Sequence, residues 1–160
     1  MSVYFTHLEC TRTGARYDRD GLHNLSDVGA PLFARYDLAA ISLSIPRDVI
    51  ARRTTGGMWR YREIMPLRPG DAPVTLDEGA TPLRATPRLA DHLGLSQPWI
   101  KDESTNPTGS FKARGLSAAV TAAAARGARK LAIPTAGNAG GALAAYAAAA
   151  GLECFVFMPR

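Results

Sequence analysis

From about residue 80 the chain alternates short apolar segments with alanine-rich segments, and this alternation restricts the possible folds most strongly. Strands are predicted at 98–101, 131–133 and 154–158, and helices at 87–94, 110–126 and 139–150. The order β-α-β-α-β is typical of parallel strands joined by right-handed crossover helices. We therefore expect an α/β fold with a parallel sheet and crossover helices.

The rest of the chain divides into two regions of different character. Residues 1–45 are irregular and rich in turns, and residues 46–79 form a linker with one short helix at 58–65, ended by Pro66. Residues 80–160 make up the α/β region. A length of 160 residues fits one ordinary domain with a hydrophobic core.

The composition excludes several classes of protein. With 46% hydrophobic and 21% charged residues and a net charge of +5, the chain resembles ordinary globular proteins. Its arginines are dispersed and not interleaved with aromatic residues, which argues against nucleic-acid binding. The uncharged segment 131–152 contains Pro134, Asn138 and four glycines, which argues against a membrane span. Two cysteines make no disulfide framework, and the N-terminus has no secretory pattern, so we expect a cytoplasmic location.

One lysine lies where a turn enters a helix. Residues 106–115 read Asn-Pro-Thr-Gly-Ser-Phe-Lys-Ala-Arg-Gly, so that Lys112 falls in the first turn of the predicted helix. The chain has only three lysines against sixteen arginines. The field at a helix N-terminus disfavours the ammonium form, and a neutral amine is what a Schiff base requires. Arginine does not lose its proton and could not replace it. The alternative is that Lys112 is a solvated helix residue.

A second loop, residues 135–141, reads Thr-Ala-Gly-Asn-Ala-Gly-Gly. It lacks the lysine of a P-loop and the spacing of a Rossmann dinucleotide loop. Asn138 could cap the following helix or reach a ligand, and the backbone N–H groups could hold a carboxylate. Both loops follow strands and precede helices, so we expect them at the same edge of the sheet.

Taken together, the two loops resemble those of a known superfamily. Residues 106–115 and 135–138 are similar to the lysine and asparagine loops of the fold-type II pyridoxal-phosphate enzymes, the tryptophan synthase β superfamily. Within it the chain resembles the threonine synthase family, whose lysine loop reads Asn-Pro-Thr-Gly-Ser-Phe-Lys-Asp-Arg-Gly. Segments 35–38, 59–67 and 78–83 also resemble that family. The resemblance covers only its N-terminal part, and we expect the chain to be a truncated piece of a longer enzyme.

The resemblance implies a cofactor, pyridoxal 5'-phosphate, and a set of site residues. Lys112 would be the catalytic residue that carries the cofactor as a Schiff base, with Phe111 beside the cofactor ring and Asn138 on its phenolic oxygen. The substrate carboxylate would be bound by Thr135, Ala136, Gly137, Asn138 and Ala139. The implied reaction is that of a carbon–oxygen lyase in threonine biosynthesis, which converts O-phospho-L-homoserine and water to L-threonine and phosphate.

The sequence departs from the family pattern at several positions. Ala113 replaces the aspartate that usually follows the lysine, and Ala136 and Ala139 stand where hydroxyl residues are common. The N-terminal segment resembles a ribbon-like module that can carry two Cys-x-x-Cys pairs. Of these only Cys10 is present, and His7 and His23 do not complete a zinc site. We therefore expect no metal.

Two other functions stay open on the sequence alone. One is another fold-type II lyase, a threonine dehydratase or a cysteate synthase, although segment 59–67 argues against a dehydratase. The other is a non-catalytic α/β binding module. The family's glycine-rich loop for the cofactor phosphate is not in this sequence, so we expect the chain alone to be inactive or weakly active. The expected partner is a small-molecule substrate. A homodimer is compatible with the sequence, which does not fix the oligomeric state.

Overall fold

The computed structural model describes residues 4–159. Its N-terminal region, for which the sequence pattern predicted no regular elements, contains a three-stranded sheet. Its antiparallel strand order is β2-β1-β3, with β1 at Phe5–Cys10, β2 at Arg16–Tyr17 and β3 at Leu32–Tyr36. The expectation gave no strands here, because β1 pairs with β3 across a long turn-rich segment and not through a tight hairpin. Cys10 is buried, with Sγ 3.2 Å from Ser26 Oγ. Within residues 4–159 no group of three or more metal-binding side chains occurs.

Short helices connect this sheet to the α/β region. The elements in between are α1 at Leu38–Ser44, α2 at Arg47–Ala51 and a 3₁₀ helix at Met58–Ile64. The 3₁₀ helix occupies the position of the predicted helix at 58–65, and its Met58 and Trp59 are buried. Among the residues that the structure describes, no helix is long and apolar enough to cross a membrane.

The α/β region forms two small sheets instead of one. Its elements are β4 at Leu83–Ala85, α3 at Pro87–Leu93, β5 at Trp99–Lys101, α4 at Lys112–Ala125, β6 at Lys130–Pro134, α5 at Asn138–Ala149 and β7 at Glu153–Phe157. Strands β6 and β7 are parallel and joined through α5, as expected. Strand β5 instead pairs antiparallel with β4, so its predicted place in the parallel sheet is wrong. The prediction failed because β4 has only three residues and no apolar alternation to reveal it.

The core lies where α4 and α5 pack on each other and α5 packs on β7. Ala113, Val120, Leu143 and Tyr146 are buried there. Gly140 allows the close approach of α5 to the sheet, because a Cβ at this position would lie 2.8 Å from Val156 Cγ1 and 2.9 Å from Thr135 Cγ2. The small residues of α5 are therefore a packing requirement at this point.

A buried carboxylate connects the core to the preceding segment. Glu78 is fully buried, and its Oε1 lies 2.6 Å from both Trp59 Nε1 and Ser117 Oγ. Its Oε2 accepts hydrogen bonds from Tyr146 OH at 2.6 Å and from the Leu76 N–H at 3.0 Å. Burial by itself would raise the pKa of Glu78, but the bonds from Ser117 and Tyr146 outweigh it and hold the pKa below its usual value. Glu78 is therefore ionised.

The packing of α5 is tested by alanine substitution at two adjacent glycines. Gly140→Ala forces a methyl group into Val156 and Thr135 and should lower the free energy of unfolding by about 1–3 kcal/mol. The methyl group added by Gly141→Ala would have no neighbour within 4 Å. This substitution should raise the free energy of unfolding by up to about 1 kcal/mol, because alanine favours the helix. Urea unfolding measures both. Equal effects from the two substitutions would contradict the described packing.

Candidate functional site

Lys112 is the first residue of α4 and follows an irregular turn. The Ser110 hydroxyl accepts a hydrogen bond from the Lys112 N–H at 3.3 Å, within the turn that the sequence predicted as the helix start. The Lys112 side chain is half-buried, and its Nζ lies 4.4 Å from the centroid of the Phe111 ring. That ring is 58% exposed. The amine is therefore held beside an aromatic face that is open to a ligand.

The other two lysines have polar partners. Lys101 Nζ donates a hydrogen bond to the Thr81 carbonyl, and Lys130 Nζ lies 3.1 Å from Glu153 Oε2. Within residues 4–159 no hydrogen-bond acceptor and no carboxylate engages Lys112 Nζ, which lies over the Phe111 ring. An amine condenses with a carbonyl group through its nitrogen lone pair, which a carboxylate partner opposes by favouring the protonated form. Lys112 has no such partner in this part of the chain, which makes it the best-placed candidate of the three lysines.

The turn before Lys112 is anchored through a buried amide. Asn106 Oδ1 accepts a hydrogen bond from the Gly79 N–H at 2.9 Å, and its Nδ2 donates to Glu103 Oε2 at 2.9 Å. Thr108, in the next turn, has a φ of 65°, a conformation that non-glycine residues rarely adopt. The Asn-Pro-Thr-Gly segment is thus fixed at its base while Thr108 and Phe111 remain exposed.

A carboxylate–guanidinium pair, which sequence reasoning missed, spans the same turn. Glu103 accepts hydrogen bonds from Arg114 Nε at 2.6 Å and from Arg114 Nη2 at 2.7 Å. Thr81 Oγ1 adds another at 2.6 Å. Arg114 above all, and then Thr81 and Asn106, lower the pKa of Glu103 to about 2. The pair could have been suspected from an acidic residue just before the turn and an arginine just after Lys112, but no periodicity connects them.

The second predicted loop follows β6 and leads into α5. Thr135 and Ala139 are half-buried, whereas Ala136, Gly137 and Asn138 are exposed. Asn138 is the first residue of α5, and the helix has no side-chain cap, so Asn138 does not serve as one. The first N–H groups of a helix have no acceptor within it. The Thr135 N–H donates to the Phe157 carbonyl at 2.9 Å and the Gly137 N–H to Thr135 Oγ1 at 3.3 Å. The exposed loop therefore presents the N–H groups of Ala136, Asn138 and Ala139, together with the Asn138 amide.

Helix α5, which follows the second loop, packs against α4 and also contacts the 107–109 turn that leads to Lys112. We expected this proximity from neighbouring strands of one sheet, but β5 and β6 are not paired. The contact between α5 and the turn takes the place of the shared sheet edge.

A family model described as pyridoxal-phosphate dependent enzyme matches residues 74–160, which hold both loops. The chain belongs to this family. Pyridoxal-phosphate dependent enzymes hold their cofactor through a lysine, and the unpartnered amine of Lys112 fits that requirement.

Similarity to individual proteins extends beyond the residues that the family model matches. The chain is 36% identical over 154 residues to a threonine synthase of Methanosarcina acetivorans, covering 96% of the chain and 37% of that protein. It is 35% identical over 151 residues to a threonine synthase of Methanocaldococcus jannaschii, covering 94% and 37%. A threonine synthase of Mycobacterium leprae is 48% identical over 100 residues, with coverage of 62% and 28%. The chain spans little more than a third of the length of the archaeal relatives.

The core explains one position at which this family member departs from the lysine-loop pattern quoted above. Ala113, at the position where aspartate is usual, has no exposed surface and packs in the cluster of Val120, Leu143 and Tyr146. A carboxylate at this point would have to be buried. Alanine at this position therefore suits the packing of α4 in the core.

The Glu103–Arg114 pair makes stability depend on pH. Because the pKa of Glu103 falls from 4.5 to about 2 in the folded protein, its contribution is present above pH 4.5 and is lost as the pH falls toward 2. Glu103→Gln should therefore lower the urea midpoint most at about pH 6, and the difference from the parent should vanish near the folded-state pKa. Urea titrations across this range measure it. A difference that stays constant with pH would show that the carboxylate charge is irrelevant.

Proposed function

We propose that this chain belongs to a threonine synthase, which converts O-phospho-L-homoserine and water to L-threonine and phosphate. The observation that carries the proposal is the free amine of Lys112 at the start of α4, beside the exposed ring of Phe111. Three relatives named threonine synthase, at 35–48% identity, support this substrate over that of another fold-type II lyase. In this proposal the chain supplies the lysine and the substrate-carboxylate loop of a longer enzyme.

Three side chains would hold the cofactor. Lys112 Nζ would bind it covalently, Phe111 would lie beside its ring, and the Asn138 amide would donate a hydrogen bond to its phenolic oxygen. Bound pyridoxal phosphate supplies an electron sink for the carbanion formed next to the substrate's amino group. The exposure of Phe111 and Asn138 supports these roles, because neither side chain is used to hold the fold.

The chain would also orient the substrate and move its α-proton. The backbone N–H groups of the 135–139 loop would bind the substrate carboxylate, helped by the positive end of α5. Ala136 and Ala139 add no side-chain donors, so in this enzyme the backbone would do most of the binding. Once the substrate amine has replaced it on the cofactor, the freed Lys112 Nζ would take the proton from the substrate α-carbon, for which a neutral amine is required.

The proposal includes an organisation of the chain into three parts. Residues 1–45 would be a ribbon-like segment without metal ligands, residues 46–79 a linker, and residues 80–160 part of the cofactor-binding domain. The parallel β6–α5–β7 unit supports the last of these, because it is the repeating element of a parallel α/β sheet.

The lysine assignment is tested by trapping the cofactor. Borohydride reduction of the full-length protein with pyridoxal phosphate, followed by peptide mapping, should place the adduct on Lys112. Lys112→Arg should keep the fold and lose both the adduct and the release of phosphate from O-phosphohomoserine, because arginine cannot condense. Lys101→Arg and Lys130→Arg are the matched controls and should retain the adduct. An adduct chiefly on Lys101 or Lys130 would refute the assignment.

The role of Asn138 is tested against that of a buried amide. Asn138→Ala should shift the absorbance of the bound cofactor and reduce turnover, with little change in melting temperature, because the exposed amide holds no structural bond. Asn106→Ala, the control, removes buried hydrogen bonds worth roughly 0.5–1.5 kcal/mol each and should lower the melting temperature. If Asn138→Ala reduces stability and leaves the absorbance unchanged, its role is structural.

A further inference from the structure

The Glu103 carboxylate closes the segment that carries Lys112. It is bound by Asn106, six residues before Lys112, and by Arg114, two residues after it. Both Arg114 nitrogens lie within 2.7 Å of the carboxylate oxygens. The two arms of the turn are therefore joined to each other through this carboxylate.

The closed turn is also fixed to a neighbouring segment. Thr81 Oγ1 donates to Glu103 at 2.6 Å, and the Gly79 N–H donates to Asn106 Oδ1 at 2.9 Å. The side chains of Glu103 and Arg114 are 25% and 32% exposed, so water screens the pair less than a surface ion pair. Hydrogen bonds that involve ionised groups are shorter and stronger than neutral ones. These bonds fix the turn relative to residues 79–81.

We propose that Glu103 is a positioning residue for Lys112, an inference that rests on the proposed function, in which Lys112 holds the cofactor. A lysine side chain is long and flexible, and its reach depends on where its backbone is held. Loss of the Glu103 bonds would release the turn on both sides of Lys112, and small displacements of a reacting group have large effects on rate. Since Arg114 neutralises the carboxylate, Glu103 acts through position and adds no net charge beside the amine.

The experiment compares two adjacent carboxylates in the full-length protein. Glu103→Gln breaks the pair that closes the lysine turn. Asp102→Asn breaks the neighbouring pair with Arg84, at 2.8 Å, which connects β4 and β5. Each variant is titrated with pyridoxal phosphate by absorbance, the borohydride adduct on Lys112 is quantified by peptide mapping, and kcat and KM are measured. Circular dichroism and urea unfolding report the fold.

We expect Glu103→Gln to weaken cofactor binding and to lower kcat about tenfold or more, with KM changed less, under conditions in which urea unfolding shows the variant to be fully folded. Asp102→Asn should stay within about twofold of the parent in cofactor affinity and kcat, because it breaks the exposed pair with Arg84 while the asparagine Oδ1 can still accept the hydrogen bonds from Ser104. Arg114→Lys keeps the charge but loses the two-point contact, and should show an intermediate loss. It replaces Glu103→Gln if that variant does not fold.

The outcomes separate this inference from the proposed function. If the parent forms its adduct on Lys112 and Glu103→Gln or Arg114→Lys matches Asp102→Asn in cofactor affinity and kcat, only the positioning role is refuted. If the parent forms no adduct on Lys112, the proposed function fails and the inference fails with it. If the parent forms the adduct but releases no phosphate from O-phosphohomoserine, the substrate is wrong, and the affinity comparison still decides the role of Glu103.

Discussion

The carboxylate of Glu78 receives hydrogen bonds from segments that are far apart in the sequence. Two donors come from the preceding segment, the Trp59 side chain and the Leu76 N–H. The other two are the hydroxyl groups of Ser117 in α4 and Tyr146 in α5. A buried carboxylate without partners would cost far more than the protein could tolerate. The helices must therefore sit where their hydroxyl groups reach it. Burial, and then the negative charge of Glu78, raise the pKa of Tyr146, which keeps its hydroxyl protonated as a donor.

Glu78 and Glu103 thus have separate structural roles in this region. Glu78 is fully buried and sets the packing of α4 on α5, whereas Glu103 is partly exposed and holds the turn that leads into α4. Lys112 and Asn138, the first residues of these helices, depend on the first carboxylate for the placement of their helices. Lys112 depends on the second for the shape of its turn. Neither side chain is itself needed to hold the fold, which leaves both available to a ligand.

Local signals in the sequence predicted the elements better than their pairing. The alanine-rich helices were found to within two residues, because turns and glycines mark their ends; Gly127, for example, has a φ of 84° just beyond α4. The pairing of β5 with β4 was missed because a three-residue strand has no period to detect. The motif made Lys112 a candidate, but the Glu103–Arg114 bond depends on side chains that meet only after the turn has formed. Such contacts leave no pattern in a single sequence.

The partners of Glu78 have a consequence for the order in which the chain folds during synthesis. The Glu103–Arg114 bonds span 11 residues and can form soon after Arg114 has left the ribosome. The bond from Tyr146 to Glu78 spans 68 residues, so the carboxylate cannot be fully satisfied until α5 has emerged. The turn that carries Lys112 can therefore close early, while the core beneath it stays open until much later. During that interval the nascent chain exposes Trp59 and the apolar face of α4, surfaces that a chaperone would have to cover.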